Sequence, residues 1–276
     1  MIWRVLDTGI NDAALNMAID EAILLAHSEG EVPPTLRFYG WKPAAVSLGY
    51  FQKAEAEIDL EACRRQGIDV VRRLTGGRAV LHEAELTYSL VVRENAPLIP
   101  GTITASYRYF SGGLLAGLAR LGIQAGMSMP RGAYGKTGTE ARYASAACFD
   151  SPSHYEITFE GRKLIGSAQV RKHGVILQHG SVLLRFCPEK LASILHAASD
   201  ARRERMAGLL AGHVTSIEEI RGCRTTREET RDAVIAGFGP AVGVKLQHGC
   251  LTQRELNTSV LLMESKYSQP QWNLLR

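Results

Sequence analysis

Two side chains have the chemistry for covalent catalysis. Cys148 lies in Ser145-Ala146-Ala147-Cys148-Phe149-Asp150-Ser151-Pro152, where small neighbours leave its sulfur accessible and turn-forming residues follow. A free thiol with a pKa of about 8.5 is only a few per cent ionised at neutral pH, so a nucleophilic cysteine needs a cation or a base beside it. Lys163, in Gly161-Arg162-Lys163-Leu164-Ile165-Gly166-Ser167, follows a turn, and a hairpin strand could return its ammonium to the thiol. Taken singly, these residues also read as an inert thiol and a surface lysine. His82, His154, His173 and His179 stand as alternative bases.

A second stretch, Arg72–His82 (RRLTGGRAVLH), sets three arginines around a di-glycine between two extended runs. Glycines let backbone approach a ligand closely, and flanking guanidiniums suit phosphate or carboxylate. An ordinary turn with solvated arginines fits the same residues, and the GxxxxGK[ST] spacing of a P-loop is missing. In Asn16-Met17-Ala18-Ile19-Asp20-Glu21, Asn16 and Asp20 share one helical face, which by itself reads as a solvated polar face.

The elements that must position these groups follow from periodicity. Residues 2–6 read as a strand, and Asp12 caps a helix running to about Ser28. Thr35–Trp41, Ala44–Leu48, Ile68–Leu74, Ala79–His82 and Leu86–Arg93 are extended, Leu60–Arg65 is helical, and a long helix covers about Thr102 to Leu121. Residues 124–147 read as a long loop. Tyr155–Phe159 and Lys163–Val170 form a hairpin turning at Glu160-Gly161, and Val175–Phe186 follows the turn at 172–174. Helices are expected at about 189–210, 225–237 and Thr252–Lys266. A mixed sheet followed by helices argues for an α+β fold.

Composition narrows the class. The 276 residues carry a net charge of +4, with 45% hydrophobic and 22% charged side chains, which excludes disordered, collagenous and coiled-coil chains. So mild a charge does not indicate nucleic acid, and no apolar window suits a membrane span. The first residues include Asp7, Asp12, Asp20 and Glu21, unlike a secretory signal. Five cysteines without a CxxC pair or zinc spacing point to a reducing cytoplasm, with most thiols acting as buried small hydrophobes. No metal is expected.

The runs Asn16–Ala22 (NMAIDEA), Arg72–His82, Gly161–Gln169 (GRKLIGSAQ), Leu177–Ser181 (LQHGS) and Lys266–Asn273 (KYSQPQWN) together resemble the lipoate/biotin protein ligase–transferase superfamily. They occur in that family's order across almost the whole chain. The most similar branch is the cysteine-type octanoyl-[acyl-carrier-protein]:protein octanoyltransferases, and Ala147–Tyr155 (ACFDSPSHY) is similar to the segment holding their nucleophile. The resemblance implies a mixed, largely antiparallel sheet flanked by helices. It divides the chain into a catalytic domain over 1–250 and a short helical appendage over 251–276.

It further implies that Cys148 takes an octanoyl group from octanoyl-acyl carrier protein. A lysine of the glycine cleavage H protein, or of a lipoyl domain of a 2-oxoacid dehydrogenase, then receives it. Lys163 matches the lysine that activates the thiol, with His179 as the alternative. Arg72, Thr75, Gly76, Gly77, Arg78, His82, Gly166, Ser167, His179 and Gly180 would bind substrate, and Arg72, Arg73 and Arg78 would also dock the acidic carrier. No cofactor, nucleic acid or membrane is implied, and the chain would be monomeric. An ATP-dependent lipoate–protein ligase on the same scaffold typically has a third glycine where Arg78 stands, and it has no use for a cysteine nucleophile. An octanoyl amidotransferase between carrier proteins and a non-enzymatic acyl- or lipoyl-domain-binding module are the further alternatives.

Overall fold

The computed structural model describes residues 1–128 and 156–275. Its first half contains β1 (Ile2–Asn11), α1 (Ala13–Ser28), β2 (Thr35–Trp41), β3 (Ala45–Leu48), α2 (Ala54–Glu57) and α3 (Leu60–Arg65). These are followed by β4 (Asp69–Arg72), β5 (Val80–His82), β6 (Glu85–Arg93), α4 (Ile103–Arg120) and β7 (Gly126–Met127). Beyond residue 155 come β8 (Ile157–Phe159), β9 (Arg162–Lys172), β10 (Val175–Leu183), α5 (Pro188–Ile194), α6 (Asp200–His213), α7 (Ile217–Arg221) and α8 (Arg227–Ala241). The chain closes with β11 (Lys245–His248), α9 (Gln253–Leu262), a π turn at Met263–Tyr267, and α10 (Pro270–Asn273).

Eight strands form one sheet in the order β11-β1-β2-β6-β10-β9-β8-β7, antiparallel from β2 onward and parallel where β1 meets β2 and β11. A second sheet, β4-β3-β5, has three strands. The fold is α+β with a mixed, mostly antiparallel sheet flanked by helices, as the sequence predicts. Two-residue turns join β8 to β9 at Glu160-Gly161 and β9 to β10 at His173-Gly174, all four residues with positive φ. That geometry matches the twist of antiparallel strands, which is why both hairpins are legible in sequence.

Strand β6 shows how the sheet sorts its side chains. Leu86, Tyr88, Leu90 and Val92 join the core beneath α4 and α8, together with Trp3, Phe38, Phe110 and Phe238. The alternate residues Glu85, Thr87 and Ser89 turn to the other face and are equally buried. There α1 and the small sheet cover them, with Ile19, Ile23 and Leu24 packing on Val91 and Leu177. The polar face of β6 is therefore interior, and its groups must find partners there.

The structure departs from the sequence expectations at several points. Strand β1 continues past residue 6 to Asn11, with a register shift between Asp7 and Ile10. The helix expected over 189–210 is two helices: Leu195 bridges Ile58 in extended conformation, and the Ser199 hydroxyl accepts from Arg202 N to start α6. Strand β11 and the short helices α2, α7 and α10 lie outside the sequence expectations, and Gly126–Met127, within the run read as loop, form strand β7 against β8. Most of β11 is exposed and without apolar alternation, and only its parallel backbone pairing with Ile2–Val5 defines it. Of the described cysteines only Cys63 is buried, its thiol pushed up to about 11 chiefly by burial, whereas Cys187, Cys223 and Cys250 are exposed. The expectation of mostly buried thiols is thus wrong for these three. Cys148, His154 and nearly all of the 124–147 loop lie outside the described residues.

Candidate active site

Between the polar face of the main sheet, α1 and the small sheet lies a cavity of about 210 Å³. Strand register explains its floor: Tyr39 on β2 is paired with Thr87 on β6, Thr87 with Ser181 on β10, and Ser181 with Gly166 on β9. The cavity runs across four strands, about 14 Å at ordinary strand spacing. Met17 from α1, Trp41, Val80 and Ala168 supply apolar wall, while Gly77 and Arg78 form part of its rim.

The wall also contains polar groups, and they bond to one another and to buried residues behind them. At one side Asp20, 2% exposed, takes Arg37 Nη1 at 2.6 Å, Ser89 Oγ at 2.7 Å and Tyr39 OH at 3.0 Å. Its second oxygen lies 3.2 Å from His179 Nδ1, and His179 Nε2 lies 2.7 Å from Thr75 Oγ1. Burial pushes the Asp20 carboxyl up, but the adjacent Arg37, with His179 and Ser89, outweighs this and holds it down at about 2. Burial pushes His179 down, against the pull of Asp20, which favours a neutral imidazole. Arg37 Nη2 also donates to Asn16 Oδ1 at 2.8 Å. Asn16 and Asp20 therefore do not form the solvated polar face their spacing suggested, because β2 delivers a buried arginine opposite them.

At another side His82 stacks on Trp41 with ring centroids 4.1 Å apart. Its Nδ1 lies 2.7 Å from Glu85 Oε1 and its Nε2 2.8 Å from Ser47 Oγ. Glu85 further accepts from Thr87 and Ser181, and Thr87 Oγ1 accepts from Trp41 Nε1 at 2.7 Å. With these polar atoms satisfied by neighbours, the surface they leave to the cavity suits an apolar guest.

The di-glycine loop is held from beneath. Arg73, 4% exposed, donates to the carbonyls of Ser47, Gly76 and Arg78 at 2.7–2.8 Å and to Thr75 Oγ1 at 3.1 Å. Arg72, fully buried, faces away from the cavity and donates to carbonyls of Gly49, Tyr50, Gln52, Trp272 and Asn273. Two of the three arginines expected to dock a carrier protein are thus interior, their guanidiniums engaged by backbone carbonyls and, for Arg73, by the Ser47 and Thr75 hydroxyls; Arg78 alone of the three is partly exposed.

Among the residues expected to bind substrate, Gly77, Arg78, His82, Gly166, Ser167, His179 and Gly180 line the cavity. Thr75 stands behind His179, while Gly76 and Arg72 do not line it. The sequence reading missed Tyr39, Trp41 and Thr87, which alternate on β2 and β6 in runs that look like ordinary core strands. Met17 lay inside the quoted NMAIDEA run.

Lys163, on β9, is 3% exposed, and its Nζ lies 2.5 Å from Glu156 Oε1. A methyl group on Gly166 would stand 2.9 Å from Lys163 Cε and 3.2 Å from Nζ, so the ammonium end lies against a residue of the cavity wall. Glu156 carried no signal in sequence: the register sets Thr158 opposite Lys163, and Glu156 stands just before β8, beyond the register shift between Ile157 and Thr158.

Residues 12–239 match the lipoyl protein ligase A/B catalytic domain. The chain belongs to that family. It is 49% identical over 273 residues, 98% of each chain, to the octanoyltransferase LipM of Kyrpidia tusciae. It is 44% identical to the octanoyltransferase LipM of Bacillus subtilis, with 99% of this chain and 98% of the relative covered. Among solved structures, the bipartite lipoate protein ligase of Thermoplasma acidophilum, described with its E2 lipoyl domain, superposes with a TM-score of 0.81 at 26% identity, covering 100% of this chain and 98% of that one. The family thus contains both transferases and ligases on this scaffold.

Proposed function

We propose that this chain is an acyltransferase that moves an octanoyl group onto a lysine of a lipoyl-accepting protein in lipoate biosynthesis. The supporting observation is the apolar cavity with Lys163 set behind its wall residue Gly166, in a chain whose relatives at 44–49% identity over full length are named octanoyltransferases. Burial of an eight-carbon chain, at about 0.8 kcal/mol per methylene, supplies roughly 5 kcal/mol of recognition. Gly77, Arg78, His82, Gly166, Ser167, His179 and Gly180 contact that chain in this reading, and Thr75 orients His179.

The Cys148 thiolate attacks the thioester carbonyl of octanoyl-acyl carrier protein. A new carbon–sulfur bond forms, the old one breaks, and the carrier leaves as a thiolate that takes from solvent a proton equivalent to the one Cys148 gave up on ionising. The neutral amine of an acceptor lysine, on glycine cleavage H protein or a lipoyl domain, then attacks the acyl-enzyme. The carbon–nitrogen bond forms, the enzyme's carbon–sulfur bond breaks, and the amine's proton neutralises the departing sulfur. Exchange between thioesters is nearly balanced and amide formation is downhill, so the sequence of steps needs no nucleotide. Lys163 acts as the cation that favours thiolate and orients the acyl carbonyl. A monomer working in the cytoplasm fits this chemistry.

The test is intact mass. Protein incubated with octanoyl-acyl carrier protein is expected to gain one octanoyl group on Cys148 without ATP, and to lose it on addition of a lipoyl domain. Acyl transfer that appears only with ATP would replace this reading by the ligase, and full activity in Cys148→Ser would remove the thioester.

A further inference from the structure

The Lys266–Asn273 run contributes nothing to the cavity wall and lies beyond the residues matched by the catalytic-domain family. It is nonetheless tied to both halves of the site. Lys266 Nζ and Tyr267 OH reach the Glu21 carboxylate at 2.6–2.9 Å, next to Asp20 on α1. Asn273 Nδ2 donates to Tyr267 O at 2.7 Å, fixing α10 against that anchor. On its other side, Trp272 Nε1 donates to Arg72 O at 2.9 Å, and Asn273 Oδ1 accepts from Arg72 N at 2.9 Å.

Arg72 relays this hold. Its guanidinium donates at once to the C-terminal carbonyls, Trp272 O at 3.1 Å and Asn273 O at 3.1 Å, and to Gly49 O, Tyr50 O and Gln52 O at 2.8–3.1 Å. A buried guanidinium must keep its donors matched, so the two carbonyl sets are held as one unit. The turn 49–52 in turn supports the di-glycine. A methyl group on Gly49 would lie 1.9 Å from Gly77 O, and Tyr50 N donates to Thr75 O at 2.9 Å. The Trp272 ring also meets that of Tyr50, centroids 5.8 Å apart.

We propose that the C-terminal run is a latch that fixes the acyl-binding loop, with Trp272 and Asn273 as positioning residues acting through Arg72 and the 49–52 turn on Gly77. The proposal rests on the octanoyl-transfer reading. It requires the latch to govern how well the acyl chain is held, leaving the reactivity of the thiol alone.

Steady-state kinetics with octanoyl-acyl carrier protein on wild type, Asn273→Ala, Trp272→Phe and the exposed control Leu275→Ala test it, alongside the pH dependence of Cys148 alkylation. Asn273→Ala is expected to raise KM for the donor about tenfold with kcat within about twofold, because the lost contacts hold the bound chain equally in ground and transition states. Trp272→Phe keeps the ring and loses one donor, so a smaller KM rise is expected. The alkylation profile stays fixed, and Leu275→Ala matches wild type. Unchanged KM in both latch variants, or a fall in kcat with KM constant, overturns the latch. Should Asn273→Ala fail to fold, the Trp272→Phe KM decides by the same criterion. A wild type that transfers no octanoyl group overturns the functional reading first and the latch with it, whereas an active wild type with indifferent variants overturns the latch alone.

Discussion

Arg37 and Asp20 meet at 2.6 Å with side chains 0% and 2% exposed; Lys163 and Glu156 meet at 2.5 Å at 3% and 7%. By burial and distance these pairs are equals, yet they sit on opposite sides of the cavity in strand order and are assembled differently. Arg37 uses its flat fork to reach Asp20, the Asn16 carbonyl and the Asn16 side chain together, while its guanidinium carbon lies 3.8 Å from the Tyr39 ring centroid. Lys163 presents a compact charge on a flexible stem, pressed against Gly166. A fork locks several elements in one geometry, whereas a point charge can follow a reacting group. In the proposed mechanism the Arg37 pair is therefore scaffold and the Lys163 pair serves the chemistry.

Conservative exchanges between the two cations break this comparison most directly. Arg37→Lys keeps the charge but cannot span Asp20 and Asn16, and is expected to cost about 3 kcal/mol in urea unfolding, with activity per folded molecule retained. Lys163→Arg also keeps the charge, but a bulkier planar guanidinium does not fit a space so narrow that a Cβ on Gly166 would stand 2.9 Å from Lys163 Cε. A kcat loss of about 10²–10³-fold is expected, the size seen when one transition-state donor is misplaced. Full activity in Lys163→Arg would make that lysine scaffold too, and a specific-activity loss in Arg37→Lys without destabilisation would reverse the assignment.

Acid sharpens the scaffold side. The folded Asp20 carboxyl sits at about 2, below its ordinary range, so its contribution is present above pH 4 and is lost as pH falls through about 2. This corresponds to about 2 kcal/mol. His179 is displaced downward as well. The unfolded imidazole therefore takes a proton at about pH 6.5 where the folded one resists, and stability also falls as pH drops from there. Urea midpoints between pH 7 and pH 2 are expected to decline in two stages, and Asp20→Asn to start lower and lose the second stage. An unchanged second stage in that variant would assign it to another carboxyl.

How much of this was legible in sequence depended on the range of the interaction involved. The hairpin turns, the capped α1 and the strand runs are local, and glycine placement and periodicity showed them. Seven of the ten expected substrate residues line the cavity because they lie in contiguous runs around the di-glycine and on β9 and β10. What was misread depended on partners far along the chain. Asp20 looks solvated until Arg37 is placed opposite it, and Arg72 looks like a docking cation until Asn273, 201 residues away, is found against its backbone. Trp41 and Tyr39 resemble core residues of any strand, and only closure of the small sheet over them turns that surface into a cavity.

The smallest expected effect concerns Glu156. Glu156→Gln preserves an oxygen to accept from Lys163 Nζ and removes only the negative charge that partly cancels the ammonium's field. With that charge gone, a thiolate beside Lys163 is better stabilised, so alkylation of Cys148 is expected to follow a profile moved to lower pH by less than about one unit, under about 1.4 kcal/mol. A profile moved the other way would mean that the carboxylate itself accepts the thiol proton. An unmoved profile with a lowered kcat would leave Glu156 the single task of aiming the lysine, and the second buried pair would then resemble the first more than its chemistry suggests.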